Sequence, residues 1–385
     1  MKNCFDTVSF MRYLIGGMNY KIESVFGYHL LLCLFFLSAC QSEVEKDDLN
    51  VPVSMVDFSS VMKKNLNEFP GWNHVEYILL RDEMDKESIG CINKAEVSFA
   101  NNKIILMDSR MRALAAYDST GHFISMIGSR GQGPMEYINL ADFDMDSEGN
   151  IYVIDGTLDK LLVFDNSLKV VSEFKLSFEA DVLYAINRDS ILYGLSSWNK
   201  GDGSGDKIAL VHNEQGILRS GVKYNNFDPN FWISDYLFGK SKDYISYNQT
   251  VDNDVLLFSH KGDLKKIIRF DFGDENVPVS AKVDIERQLD DYDHYVMIQK
   301  ILGVTRCYVI GILWEHRRTR FFILDYQTNV CYLGDEILPM DNRFGCGYSE
   351  GKLVSYIDEP NEEYPDSVNN HVQTEYLALQ IHFID

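Results

Sequence analysis

Lys103-Ile-Ile-Leu-Met-Asp108, Leu114-Ala-Ala-Tyr-Asp118 and Gly121-His-Phe-Ile-Ser-Met-Ile127 are three short apolar runs separated by polar breaks, and the chain then repeats them. The second set is Asn150-Ile-Tyr-Val-Ile-Asp155, Leu161-Leu-Val-Phe-Asp165 and Lys169-Val-Val-Ser-Glu-Phe174. Runs rich in β-branched and aromatic residues, bounded by Asp, Asn, Ser and Gly, predict strands joined by tight turns. The two sets share one offset: Asp108 matches Asp155, and Tyr117-Asp118 matches Phe164-Asp165, each 47 residues apart. The same step lands on Val211 and Phe258, both inside apolar runs.

A repeat of this length with several strands per unit is the signature of a propeller blade, for which periods run from ~40 to ~50 residues. Helical pairs would need apolar spacing of three and four, which these runs lack. The reading is therefore all-β: a six-bladed β-propeller with four-stranded blades over 71–385. Blade one begins near Glu96, blade two near Ala141, blade three near Val182 and blade four near Ile233. Blade five takes 294–301, 307–314, 320–324 and 330–333. Blade six has only three strands of its own, 344–348, 353–357 and 376–383. The isolated run Val75-Glu-Tyr-Ile-Leu-Leu80 supplies the fourth, closing the ring and removing its open edge. The acidic insertion Asp358-Glu-Pro-Asn-Glu-Glu-Tyr-Pro-Asp366 is expected as a loop with a helical turn.

With 385 residues, 45% of them hydrophobic, the chain can bury a substantial core in one main domain. The formal charge is -22, and removing 1–39, which carry one net positive charge, leaves -23. Such a surface repels phosphate backbones and anionic headgroups, which argues against nucleic acid and favours cations or neutral and basic ligands. Of seven cysteines, Cys91, Cys307, Cys331 and Cys346 lie in the body with no CxxC spacing, and buried free thiols are expected. The competing reading is a disulfide among the last three.

Leu30-Leu-Leu-Cys-Leu-Phe-Phe-Leu37 is too short for the ~20 residues of a membrane span and suits a signal-peptide core. Starting from Met18, the leader has 22 residues with Lys21 as its basic flank, so Met18 is a candidate start. Leu37-Ser-Ala-Cys40 resembles the bacterial lipobox, which makes Cys40 the expected lipidated, palmitate-bearing N-terminus of the mature chain. Residues 1–39 are then the signal peptide and 40–70 a lipidated, flexible, acidic tether. Gln41 after the cysteine, rather than Asp, favours the outer membrane over inner-membrane retention. The cell envelope, with the propeller periplasmic or surface-facing and held only by its lipid anchor, is the expected address.

Gly128, Arg130, Gly131, Gly133, Pro134, Glu136 and Tyr137, followed by Asp144, Asp146 and Ile151-Tyr-Val-Ile-Asp155, resemble the hallmark run of bacterial six-bladed propeller lipoproteins related to NHL-repeat proteins. The resemblance implies the fold and an envelope location and brings no catalytic residues. Blades three to six depart from the NHL pattern.

In four-stranded blades, the turns between second and third strands share one face with the blade-to-blade linkers, around the mouth of the central channel. Ligands are expected there. This mouth face gathers the binding candidates Arg110, Arg130, Asp155, Trp198, Asn248 and Arg317; arginines and aromatics in a concavity suit carboxylates or sugar rings. The competing reading is ordinary polar loop tips. Gly128–Gly133 is read as a turn, because a strand follows it and not the helix a phosphate loop needs. Asp144-x-Asp146-x-Glu148-Gly149 with Asp155, and Gly201-Asp-Gly-Ser-Gly-Asp206, carry parts of a calcium-loop pattern, so calcium or another divalent cation is the one cofactor considered; a hairpin turn and a plain loop are the favoured readings. No GxSxG or HExxH occurs, and no catalytic or metal-binding residue is assigned. Two functions follow. One is a monomeric binding lipoprotein with a small-molecule, glycan or protein partner. The alternative is a propeller lyase or hydrolase acting on a glycan or peptide around a channel-bound divalent cation.

Overall fold

The computed structural model describes residues 51–81, 89–108, 110–224, 238–249, 251–316, 318–337, 343, 345–349, 351–374 and 376–384. These form six sheets arranged as blades. The chain opens with β1 (Val53–Asp57), β2 (Met62–Asn65) and β3 (Val75–Leu79). Blade one is β4 (Lys94–Ser98), β5 (Lys103–Asp108), β6 (Ala113–Tyr117) and β7 (Phe123–Met126). Blade two is β8 (Leu140–Met145), β9 (Ile151–Asp155), β10 (Lys160–Phe164) and β11 (Val170–Lys175). Blade three is β12 (Ala180–Asn187), β13 (Ser190–Leu195), β14 (Asp206–His212) and β15 (Gly216–Lys223).

Blade four is β16 (Phe238–Lys240), β17 (Ile245–Tyr247), β18 (Asp254–Phe258) and β19 (Leu264–Asp271). Blade five is β20 (Val296–Val304), β21 (Tyr308–Glu315), β22 (Arg318–Asp325) and β23 (Val330–Ile337). Blade six is β24 (Gly347–Ser349), β25 (Lys352–Ile357), β26 (Ala378–Phe383) and the early strand β3. Within every blade the pairing is antiparallel, and β3 pairs with β26 from Leu79↔Ala378 to Val75↔His382. The closure read from the sequence is the closure observed.

The 47-residue step has a physical basis. Tyr117, Phe164, Val211 and Phe258 all lie in third strands. The residue after three of these strands organises the outer hairpin through its own side chain. Asp118 Oδ1 accepts from the Thr120 and His122 amides, Asp165 Oδ1 from Ser167 and Lys169, and Ser259 Oγ from Lys261 and Asp263. These Asx- and Ser-turns preform the bend that returns the fourth strand.

Residues 51–70 correct the expected tether. β1 adds in parallel to the outer strand of blade four, from Val53↔Ile267 to Asp57↔Asp271, and β2 adds in parallel to the outer strand of blade five. Only 40–50, which lies outside the described residues, is left for a tether. Instead of trailing away, the segment is a belt that runs from blade four over blade five and becomes the last strand of blade six. It covers two outer edges that would otherwise expose unpaired amides and carbonyls. Leu66, Phe69 and Trp72 pin it to the seam of blades five and six. The Trp72 ring stacks on His382 at 4.0 Å and on Phe321 at 5.5 Å, and Phe69 meets Tyr308 and Tyr332 edge-on at 5.3 and 5.2 Å. These spacings are those of favourable aromatic pairs.

Two helical insertions stand on the mouth face. α1 (Val279–Lys282) and α2 (Ile285–Gln288) lie in the linker from blade four to blade five, which the sequence pattern had not marked. They are seated by Tyr292, whose hydroxyl donates to the Ala281 carbonyl at 3.1 Å while Trp314 Nε1 donates to its own carbonyl at 3.3 Å. The run 358–365, expected as a loop with a helical turn, contains no helix; α3 (Asp366–Val372) begins at the end of that run and continues beyond it. Among the described cysteines, all four are free; Cys331 and Cys346 are buried, and burial pushes both thiols up to about 12, so neither is a reactive thiolate at neutral pH.

Because Trp72 is 8% exposed and Trp198 is 62% exposed, the two tryptophans should respond oppositely to truncation. Trp72→Ala is expected to lower the unfolding free energy by about 3–5 kcal/mol, and Trp198→Ala to stay within about 0.5 kcal/mol. Equilibrium urea unfolding of both variants checks this; similar losses would show that the belt is not an integral part of the core.

Candidate functional site

The innermost strands line the channel, and their inward side chains carry charge where the neighbouring positions are apolar. Lys94 and Glu96 are two apart on β4, and Asp142 and Asp144 two apart on β8, so in each strand both members face the same way. Lys94 Nζ lies 2.9 Å from Asp142 Oδ1 and donates to the Phe143 carbonyl at 2.6 Å. From blade four, opposite blade one in the ring, Lys240 Nζ reaches Asp144 at 3.3 Å and Glu96 at 3.5 Å. Blade three contributes backbone: the Leu183 amide donates to Asp142 at 2.9 Å and the Ala185 amide to Asp144 at 2.6 Å. Four blades are thus tied together across the axis, and Lys240 spans the channel.

The three carboxylates and two ammonium groups cannot all stay charged without a net deficit of one positive charge in a buried place. The structure resolves this by proton sharing. Burial first, and the neighbouring Asp144 second, push the Glu96 carboxyl well above its usual range. Against the same burial, Lys240 and a hydrogen bond from Glu96 hold Asp144 low. A protonated Glu96 donating to ionised Asp144 leaves the cluster neutral. Lys94 stays charged because Asp142, Glu96 and Asp144 together outweigh its burial. The Lys ammonium groups stand against the carboxylates in the way a bound cation would.

The residues singled out from the sequence separate into two groups. Arg110, Arg130 and Trp198 are exposed on the mouth face, on blade one, the linker after it and blade three. Asp155 and Asn248 differ from these in being buried, at 0% and 1% exposed, and both hold loops together. Asp155 accepts from the Ile138 amide at 2.6 Å through one oxygen and from Thr157 and Leu158 through the other, stapling the incoming linker to the turn. Asp108, 47 residues earlier, does the same with Gly90, Cys91 and Met111. Asn248 donates to the Asp252 and Asp254 carbonyls. Arg317 lies outside the described residues.

The turn readings fit the geometry. Asp146 accepts from Glu148, Asn150 and the Tyr152 hydroxyl within the β8–β9 hairpin, while Asp144 faces the channel. Gly128 has φ +74, and a Cβ there would sit 2.8 Å from the Tyr137 ring, so the linker requires glycine for packing. The Gly131 and Gly133 amides are taken by the Tyr137 carbonyl and the Glu136 carboxylate. In the Gly201–Asp206 loop, Asn199 and Ser177 take up the Gly201 amide and the Asp202 carboxylate.

The concavity that the sequence did not point to lies on the same mouth face, at blade six. The insertion 358–364 folds over β25 and β26 and encloses a cavity of about 350 Å³ with Arg343, Tyr356 and Gln380. Arg343 lies 3.4 Å from Asp358 and 3.5 Å from Glu359. The size is at the lower end of small-ligand sites. The only sequence signal was the composition of the insertion. A second mouth-face group, Asp181 on β12, has a buried oxygen without a hydrogen-bond donor, and burial followed by Glu179 pushes its carboxyl up to about 6 against a bond from Ser196.

Residues 58–373 match the model of a family described as a domain of unknown function, DUF4934, and the chain belongs to that family. Its fold is shared with a protein of Bacteroides fragilis provisionally described as exported, at a TM-score of 0.68 and 15% identity, covering 86% of this chain and all of that one. A member of the DUF4221 family from Bacteroides vulgatus aligns at a TM-score of 0.47 and 11% identity over 81% of this chain and 96% of that one. No curated protein matches the chain. Among the described residues no helix is long and apolar enough to cross a membrane.

The channel cluster makes a pH prediction. Because the Glu96 carboxyl sits above its unfolded value, the folded state binds more protons in that interval, and stability falls as pH rises through it. Glu96→Gln keeps a donor toward Asp144 and removes that titration. Its stability relative to the parent is expected to grow as pH is raised from 5 to 8 in urea unfolding; a difference independent of pH would refute the shared proton.

Proposed function

We propose that this protein is a monomeric, non-catalytic binding lipoprotein of the bacterial cell envelope, presenting the mouth face of its propeller to a ligand. The observation that carries the binding role is the blade-six cavity. It stands on the face where the linkers and turns of all blades collect, and a charged, aromatic and amide-bearing insertion, packed on blade six through Val368 and Val372, builds it. Arg110, Arg130 and Trp198 supply exposed rim contacts on that face.

The anchoring is supported by the apolar run that ends in Leu37-Ser-Ala-Cys40, by the resemblance of 128–155 to propeller lipoproteins and by the description of the Bacteroides fragilis relative. Acyl chains on Cys40 hold the protein stably without a spanning helix, Gln41 favours the outer membrane, and residues 41–50 give the propeller reach. In the channel, Lys94 and Lys240 already neutralise the carboxylates that a divalent cation would use, so the geometry favours binding over lyase or hydrolase chemistry.

A thermal-shift screen of envelope glycans, peptides and amines tests the binding role. A ligand at a hundred times its Kd is expected to stabilise the fold by about 2.7 kcal/mol, and Tyr364→Ala or Glu359→Gln to remove most of that shift. A ligand indifferent to both substitutions would move the site elsewhere. Detergent phase partitioning of the parent and Cys40→Ala tests the anchor; equal partitioning into the aqueous phase would exclude it.

A further inference from the structure

The mouth-face cavity continues into a second one. A cavity of about 350 Å³ follows the seam of blades five and six, walled by Asn67, Phe321, Asp335, Glu363, Tyr364 and Gln380 among others. Tyr364 and Gln380 line both, so the two are consecutive halves of one groove that descends from the mouth face.

Three observations define what such a groove accepts. Asp358 and Glu359 border the upper half, Asp335 and Glu363 the lower, and the lining guanidinium of Arg343 is already shared between Asp358 and Glu359. The groove is therefore negative. The Trp72 ring is engaged with His382 and Phe321, so the aromatic ring common to both halves is that of Tyr364. At the junction, the half-buried Gln380 side chain makes no hydrogen bond among the described residues, and its amide presents donor and acceptor side by side, the complement of a peptide bond.

We propose that this groove binds an extended polypeptide segment rich in lysine or arginine. Its backbone lies against Gln380, its methylene stems cross the Tyr364 ring, and its cationic ends face Asp335 and Glu363 below and Asp358 and Glu359 above. The inference rests on the mouth face being a binding face and adds the class of partner. It fits the strongly acidic chain, whose field draws cationic partners toward it.

The probe is a fluorescent octapeptide of alternating Lys and Ala, measured by anisotropy on the mature protein beside a Glu-Ala octapeptide and a chitin oligosaccharide. The Lys-Ala peptide is expected to bind and to weaken as salt is raised. The double variant Asp335→Asn with Glu363→Gln should weaken it about five- to tenfold. The same charge change on the far face, Asp189→Asn with Glu214→Gln, should alter it less than twofold. Gln380→Leu should also weaken it while leaving the salt dependence intact. Melting temperatures near that of the parent show that the variants fold. Equal weakening by the far-face variant, tighter binding of the chitin oligosaccharide, or no binding of the Lys-Ala peptide would each overturn the proposal. A Tyr364-dependent ligand from the thermal-shift screen, found alongside any of these, would leave the binding role standing and discard only the cationic peptide.

Discussion

The pairing of β3 with β26 is the contact on which the molecule depends. A blade can bury its faces only against its neighbours, and a ring of six can do so only if the last sheet is complete. Five backbone registers between Val75–Leu79 and Ala378–His382 join segments about three hundred residues apart, so loop-closure entropy opposes them. The belt offsets that opposition. Before the chain reaches β3 it has added a strand to blade four, another to blade five, and set Trp72 between His382 and Phe321. Closure is therefore a cooperative property of residues 51–80.

The channel shows a second constraint of the same kind. Inner strands converge on the axis, where there is too little room for large side chains from every blade and too little water for free charges. Lys94, Glu96, Asp142, Asp144 and Lys240 meet there at hydrogen-bonding or near hydrogen-bonding distance, and the blade-three amides of Leu183 and Ala185 complete the set. Removing Lys94, Lys240, Asp142 or Asp144 would leave another member buried without a counter-charge, which is more costly than the pair is stabilising. The cluster therefore selects one angular arrangement of four blades. It makes the axis of this propeller a brace, while the two cavities described above lie at blade six.

The mouth face then divides labour between buried and exposed residues. Asp108 and Asp155 spend their carboxylates on backbone amides, holding turn and linker in register. Their rigidity lets Arg110, Arg130 and Trp198 project from fixed positions, and lets the blade-six insertion fold over a firm floor. A binding surface on such a scaffold loses little conformational entropy when it is occupied.

Much of this was legible in the linear chain because a propeller is a repeat, and repetition survives in one dimension. The strands, the 47-residue step, the turn residues after the third strands and the missing fourth strand of blade six all follow from local alternation and turn chemistry. The roles of Asp155 and Asn248 did not follow, because an Asp at a strand end looks the same whether its oxygens face a ligand or three backbone amides. Nor did the belt, since parallel addition of 53–65 to two outer strands depends on edges that exist only once the blades are stacked. The charge cluster and the blade-six groove belong to the same class. Charges two apart on β4 and β8 define a face, but only closure of the ring brings Lys240 to that face, and only the folded insertion places Tyr364 and Gln380 between two hollows. Sequence by itself determined the elements and their order, which are set by short-range stereochemistry. Which polar groups are consumed and which remain available was decided by tertiary structure, because burial and partnership depend on contacts hundreds of residues apart.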